Sequence, residues 1–292
     1  MNDPKPLPVV GASVLVAALV AWGVGQHAVE AFGLPVPWIC TAFAFALNWA
    51  AFPPAFAART ERYYDLVGSL TYLGSIACAA ALANLDARGW LLAALAGLWA
   101  ARLGTFLFLR IHRAGSDRRF DEVKQAFGPF LIAWTLQALW VVLTLACAVA
   151  AMTSTASRPL GVWAAVGAAI WVVGFGIEVV ADRQKSAFRR DPANEGDFIR
   201  TGLWAWSRHP NYCGEIVLWI GVAVIAWPVL HGWQHVALVS PVFVYLLLTR
   251  ISGIPPLETR AEAKWGEDPA YRDYVERTPV LWLRPPGRAR GN

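Results

Sequence analysis

The chain has 292 residues, 57% of them hydrophobic and only 15% charged, with 16 tryptophans and a formal net charge of +5. A soluble domain carries about 25% charged residues, so this composition excludes an ordinary soluble globule and reads as an integral membrane protein. The basic excess calls for no nucleic acid, because membrane proteins gather Lys and Arg in the loops of one side.

A helix needs about 20 apolar residues to cross a bilayer. Eight stretches qualify, at roughly 8–31, 36–57, 64–85, 89–109, 128–152, 160–181, 213–230 and 235–250. The first begins after a single lysine and has no small-residue cleavage site behind it, so it reads as a retained helix rather than a signal peptide. Connections alternate in character. Those after spans one, three, five and seven are short and nearly uncharged; those after spans two, four and six carry the charge. On this topology 22 of the 25 Lys and Arg residues fall on one side and only Arg88 and Arg158 on the other. The positive-inside rule then puts both termini in the cytoplasm. The expected fold is all-α, a polytopic membrane bundle of about eight helices.

After Gly253 the sequence turns polar and amphipathic. Pro256 is expected to open a short helix with Leu257, Ala261 and Trp265 on one face. Asp268 is expected to cap a second helix with Pro269 at its first position. This gives three regions: an N-terminal extra helix in 1–34, a core in 35–252 and a cytoplasmic tail in 253–292.

Four cysteines, Cys40, Cys78, Cys147 and Cys213, lie scattered without paired spacing, so neither a disulfide framework nor a zinc site is indicated. His231 and His235 have i,i+4 spacing, but Gly232 and Trp233 make that stretch a turn, and no metal is expected. "GVGQHA" at 23–28 fits a dinucleotide fingerprint only as a string, since it lies inside a span with no preceding strand.

The charged groups that remain gather near one face of the bundle. Arg102 sits about two turns inside span four, Asp65 starts span three, Glu178 and Asp182 end span six, and Glu215 starts span seven. Ionisable groups so placed mark a polar pocket by default, or else interfacial anchors. The loop from Ile111 to Lys124 and the segment from Asp182 to Arg208 are rich in cations. These suit a phosphate-bearing ligand or anionic lipid headgroups equally well.

Three stretches carry a resemblance: "EVVADRQKSAF" from Glu178, "SRHPNYCGE" from Ser207, and "SGIPPLETRAEAKWG" with "YRDYVERTP" downstream. With these in order the chain resembles the DUF1295 family, which is similar to the C-terminal domain of steroid 5α-reductases. The resemblance implies a seven-helix core plus one extra N-terminal helix, and an NADPH-dependent reduction of a C=C bond or enone in a lipid of steroid, isoprenoid or fatty-acyl type. It implies cofactor contacts at Arg102, Arg110 and Arg113, at Asp182 and Arg189, and at Arg208, His209, Asn211, Tyr212 and Glu215. The Gln-Glu pair that polarises the substrate in those enzymes corresponds here to Tyr64 and Asp65, and their catalytic tyrosine to Trp99. Asp65 or Tyr64 would then supply the proton, and Trp99 would face the substrate, which enters from the bilayer. A similar Arg-His-Pro-x-Tyr stretch binds S-adenosylmethionine in isoprenylcysteine and phospholipid methyltransferases. A methyltransferase and a non-catalytic lipid-binding protein therefore stand as the other readings.

Overall fold

A computed structural model describes residues 6–114 and 120–286, with side chains described outside 110–114. Among the described residues, eight segments are long and apolar enough to cross a membrane. They are built from α1 (Pro6–Gly25), α2 (Val36–Ala57), α3 (Tyr64–Leu82), α4 (Ala87–Ala114), α5 (Phe127–Thr153), α6 (Val162–Arg190), α7 (Pro210–Ala226) and α8 (Val239–Leu246). Two shorter helices follow, α9 (Ile254–Trp265) and α10 (Pro269–Arg277). The all-α polytopic architecture expected from composition is thus present.

The boundaries differ from the hydropathy pattern in three places. α1 stops at Gly25 rather than 31, because His27 takes a positive φ of 58° and the chain then turns into a hairpin of β1 (Glu30–Ala31) and β2 (Leu34–Pro35). α6 runs nine residues past 181, to Arg190. Its polar end leaves the apolar window, but Arg183, Gln184 and Lys185 are good helix formers and carry the helix on. The last span is not one α-helix. A 3₁₀ stretch (Gly232–Leu238) leads into α8, and a π turn (Leu247–Ile251) ends it.

The chain forms two compact units. The first comprises residues 1–165 and 222–240. α5 is its centre and packs against α1, α2, α3 and α4, which is why nearly every residue from Leu143 to Thr153 is buried. Polar side chains cross-tie its neighbours. Asn48 Nδ2 donates to Thr71 Oγ1 (3.1 Å), Trp49 Nε1 to Thr135 Oγ1 (3.0 Å) and Gln137 Nε2 to the Tyr64 carbonyl (3.1 Å). Such bonds average about 0.6 kcal/mol each within a bilayer, so they fix register more than they supply stability. At one end of this unit, Lys124 pairs with the buried Glu61 (2.8 Å) and Arg59 donates to the carbonyls of Lys124 and Gln125. The hydrogen bond that Lys124 donates to Glu61 raises its amine above the ordinary value.

The second unit comprises residues 166–221 and 241–292. Here α6 and α7 cross backbone to backbone at glycines. A Cβ on Gly214 would lie 2.5 Å from the Gly174 carbonyl oxygen and 2.6 Å from the Glu178 amide; one on Gly221 would lie 2.6 Å from the Gly167 oxygen. Small residues permit this approach in membranes, where dispersion replaces the hydrophobic drive. Its consequence is positional: the acidic turn of α6, Glu178 to Asp182, lies beside the first turns of α7. Asp268 caps α10 as expected, accepting from the Ala270 amide at 2.8 Å. α9 starts two residues before Pro256, with prolines in its first turn. Trp265 packs its ring on Phe198 (5.8 Å) and donates to the Gly196 carbonyl (2.6 Å).

Gly214→Ala must separate the two helices and is expected to cost about 1–3 kcal/mol. Gly176→Ala, on the facing helix α6 but with nothing within 4 Å of its Cβ, is expected to be neutral or stabilising, since Ala is the better helix former. Thermal unfolding of the two variants in detergent distinguishes them. Equal losses would mean that the close crossing is absent.

Candidate functional site

A close-packed polar assembly is in the second unit, where α9 meets the segment before α7. Arg208 Nη1 lies 2.6 Å from Glu258 Oε2, and His209 Nε2 lies 2.6 Å from Glu258 Oε1. One carboxylate thus holds two consecutive basic residues, each by its own oxygen. Backbone bonds fix the pair from behind. The Arg208 amide donates to the Pro279 carbonyl (2.9 Å), and Ser207 Oγ accepts from the His209 amide (3.1 Å) while donating to the Leu281 carbonyl (2.8 Å). Pro210 then opens α7, as expected for a residue with no amide hydrogen to satisfy.

His209 is only 5% exposed. Burial lowers its pKa; Glu258 opposes this, while Lys185 and Arg208 reinforce it. The neutral ring therefore carries its hydrogen on Nε2, where Glu258 accepts it. Nδ1 is left as a buried acceptor with no partner, and Arg208 Nε is a buried donor with none. The Tyr212 ring stacks on the imidazole at 5.7 Å and 7°. Behind the cluster, Trp204 Nε1 donates to the Ala181 carbonyl (3.0 Å), Lys185 Nζ lies 4.4 Å from the Trp204 ring centre, and Tyr274 donates to the Trp204 carbonyl (2.8 Å). Burial pushes the Tyr274 phenol well above its ordinary value, so it remains a donor.

Asp182 is buried on α6 and Arg189 is exposed in its last turn. Asn211 and Glu215 are half-buried, four residues apart and hence on one face of α7. The structure therefore brings together Arg208, His209 and Tyr212, and sets α6 beside the turns of Asn211 and Glu215. Glu258 is the member of this cluster that sequence reasoning left without a role. It stands inside the quoted "IPPLETR" stretch, but nothing in spacing alone pairs it with residues about 50 positions earlier.

The remaining expected residues lie in the first unit. Tyr64 and Asp65 open α3. Tyr64 is buried among Phe52, Phe130 and Trp134, and its hydroxyl donates to the Ala133 carbonyl at 2.9 Å. Asp65 is half-buried. Trp99 is 2% exposed on α4, edge-on to Tyr72 at 5.2 Å. Arg102 is half-buried, with its guanidinium carbon 5.5 Å from the Phe106 ring centre. The side chains of Arg110 and Arg113 lie outside the described residues. A small cavity in this unit is lined by residues of α1, α2, α3 and α5, and Trp99 is not among them. Among the described residues no three His, Cys, Asp or Glu side chains are grouped to hold a metal ion.

Two outcomes are expected from the His209–Glu258 arrangement. Glu258→Ala should cost about 1.5–3 kcal/mol, the scale of hydrogen bonds to a charged group. Because folding lowers the His209 pKa, the unfolded chain binds the extra proton first. Stability is then full above the unfolded value of about 6.5 and is lost as pH falls through it toward the folded value. A melting series from pH 7.5 to 5.5 should show a steeper loss for the wild type than for His209→Gln. Parallel curves would contradict the buried neutral ring.

Comparison with known proteins bears on the family. The chain is 26% identical over 218 residues to an uncharacterized protein of Schizosaccharomyces pombe, covering 64% of this chain and 61% of that one. It is 28% identical over 144 residues to the Delta(14)-sterol reductase LBR of Gallus gallus, covering 43% of this chain and 21% of that one. It is 31% identical over 67 residues to the 3-oxo-5-alpha-steroid 4-dehydrogenase 1 of Bos taurus, covering 23% and 26%. The chain thus spans less than two thirds of the length of these curated relatives. No solved structure matches it. The family described as "Protein of unknown function (DUF1295)" matches residues 55–278, about three quarters of the sequence, including Arg208, His209, Tyr212 and Glu258, and the chain belongs to that family.

Proposed function

We propose that the protein is a membrane-embedded, NADPH-dependent reductase of a C=C bond or enone in a lipid substrate. The similarity to a sterol reductase and a steroid dehydrogenase is the observation that carries this reading. The cluster around Glu258 gives the cofactor a candidate grip, and the donor set there fits the group. Arg208 retains a buried Nε hydrogen and His209 a buried Nδ1 acceptor, neither of them matched within the protein. A dinucleotide offers a complement to both: anionic oxygens for the guanidinium, hydroxyl or amide hydrogens for the imidazole.

In this reading Arg208 binds phosphate or ribose oxygens. His209 accepts a hydrogen bond, and Glu258 keeps both bases oriented. Asp182, Asn211, Tyr212 and Glu215 serve the sugar and amide groups. Arg102, Arg110, Arg113 and Arg189 keep the phosphate roles that the family resemblance implies. Bound there, NADPH would supply the hydride that the reduction of the double bond needs. Asp65 delivers the proton to one carbon of that bond and is reprotonated from water, so the C=C bond becomes CH–CH and the charges balance. Tyr64 is the weaker candidate for that proton, because its hydroxyl hydrogen is committed to the Ala133 carbonyl. Trp99 lines the substrate path, the lipid enters from the bilayer, and the cofactor side and both termini face the cytoplasm, as the one-sided distribution of Lys and Arg supports.

The test is ligand-induced stabilisation of the purified protein in nanodiscs by NADPH, NADP⁺, NADH and S-adenosylmethionine. A ligand at 100 times its Kd adds about 2.7 kcal/mol. NADPH is expected to stabilise the wild type, and Arg208→Ala to weaken its affinity by about ten-fold or more. Stabilisation by S-adenosylmethionine and not by NADPH would replace the reductase with a methyltransferase. Stabilisation by neither would leave a lipid-binding protein.

A further inference from the structure

Beyond α10 the chain doubles back across the head of α7. From Pro279 to Arg284 it forms a strap held at four points, all within the second unit. The Pro279 carbonyl accepts from the Arg208 amide (2.9 Å), the Leu281 carbonyl from Ser207 Oγ (2.8 Å), and the Trp206 carbonyl from the Arg284 amide (3.0 Å). The Leu283 amide faces Cys213 Sγ. Cys213 is three residues into α7, about 4.5 Å along its axis at 1.5 Å per residue. The strap therefore lies level with the first turn of a helix long and apolar enough to cross a membrane.

The side chains of the strap sort by exposure. Leu281 is buried, whereas Val280, Trp282 and Arg284 are exposed, Trp282 to 53%. Trp206, four residues before α7 and bonded to the strap through its carbonyl, is exposed to 40%. α10 is different. Arg272, Asp273, Glu276 and Arg277 cover it with exposed charge, and Glu267 just before it is fully exposed. That part of the tail is built for water, and the strap is not. Where a span meets the headgroups, tryptophan is favoured, because its ring leaves water while its N–H stays wet. An arginine at the same level can pair with lipid phosphate.

We propose that the strap is an interfacial anchor: Trp206, Val280 and Trp282 enter the boundary between headgroups and acyl chains, and Arg284 binds a lipid phosphate. The bonds from the strap to residues 206–208 then hold Ser207, Arg208 and His209 at a fixed depth relative to the bilayer surface. The anchor depends neither on the reductase reading nor on which side of the membrane the tail occupies.

The test places the photocrosslinker benzoylphenylalanine in full-length protein in phospholipid nanodiscs, at position 282, at 206 and, as a water-facing control, at 267. Phospholipid adducts, detected by mass spectrometry, are expected at 282 and 206 and not at 267. Position 280 gives the same readout should a variant at 282 or 206 fold poorly. Hydrogen exchange tests the link to the neighbouring residues. In nanodiscs Trp282→Asp should make the Arg208 and Arg284 amides exchange about three- to ten-fold faster, the ratio worth one hydrogen bond. Trp282→Tyr, which still suits the interface, should keep their protection. Equal adduct yields at 282 and 267, crosslinking of 282 to a second copy of the chain in place of lipid, or exchange unchanged by Trp282→Asp would each overturn the proposal.

Discussion

A single carboxylate, Glu258, answers two basic residues that the chain places side by side, Arg208 and His209. Both are drawn largely out of water, and a buried base without an acceptor is costly. The contact therefore sets where several other pieces go. It brings α9 to the head of α7. It fixes residues 207–209, whose backbone and hydroxyl bonds reach Pro279 and Leu281. It also holds the imidazole in one tautomer, with Nδ1 buried and unpartnered. The π turn at Leu247–Ile251 fits this picture, since it redirects the chain from α8 into α9 just ahead of Glu258.

The second constraint is the glycine crossing of α6 and α7. Helices that touch through backbone atoms have little freedom to slide, and the spacing of Gly174, Gly214 and Gly221 allows one register. That register places Glu178 and Asp182 alongside the turns that carry Asn211 and Glu215. Rigid helices thus set out the polar groups of the second unit, while the first unit packs around α5, buried throughout from Leu143 to Thr153. In each unit the apolar exterior is left to the bilayer, where exposed residues such as Leu15, Trp90 and Val172 meet hydrocarbon rather than water.

Much of this was legible in the sequence. Eight apolar runs became eight spans, because crossing a bilayer demands length and hydrophobicity and little else. Pro210 and the Asp268–Pro269 pair marked helix starts, because capping and proline geometry are local. The extension of α6 to Arg190 was hidden, since hydropathy sees the end of the membrane and not the end of the helix. Glu258 was hidden for a different reason: its role exists only once α9 meets the residues before α7, a contact across about 50 positions of sequence.

The reductase account is tested most directly by following the hydride. Nanodisc-bound protein would be incubated with lipid extract and NADPH deuterated at the nicotinamide C4 position, and the lipids then analysed by mass spectrometry. The account predicts a lipid product that has lost one double bond and carries one deuterium, its second new hydrogen coming from solvent. It predicts that Glu258→Ala and Asp65→Asn each suppress that product, the first by weakening NADPH binding and the second with binding intact. Saturated product without deuterium, or transfer of a methyl group from S-adenosylmethionine in the parallel reaction, would contradict it.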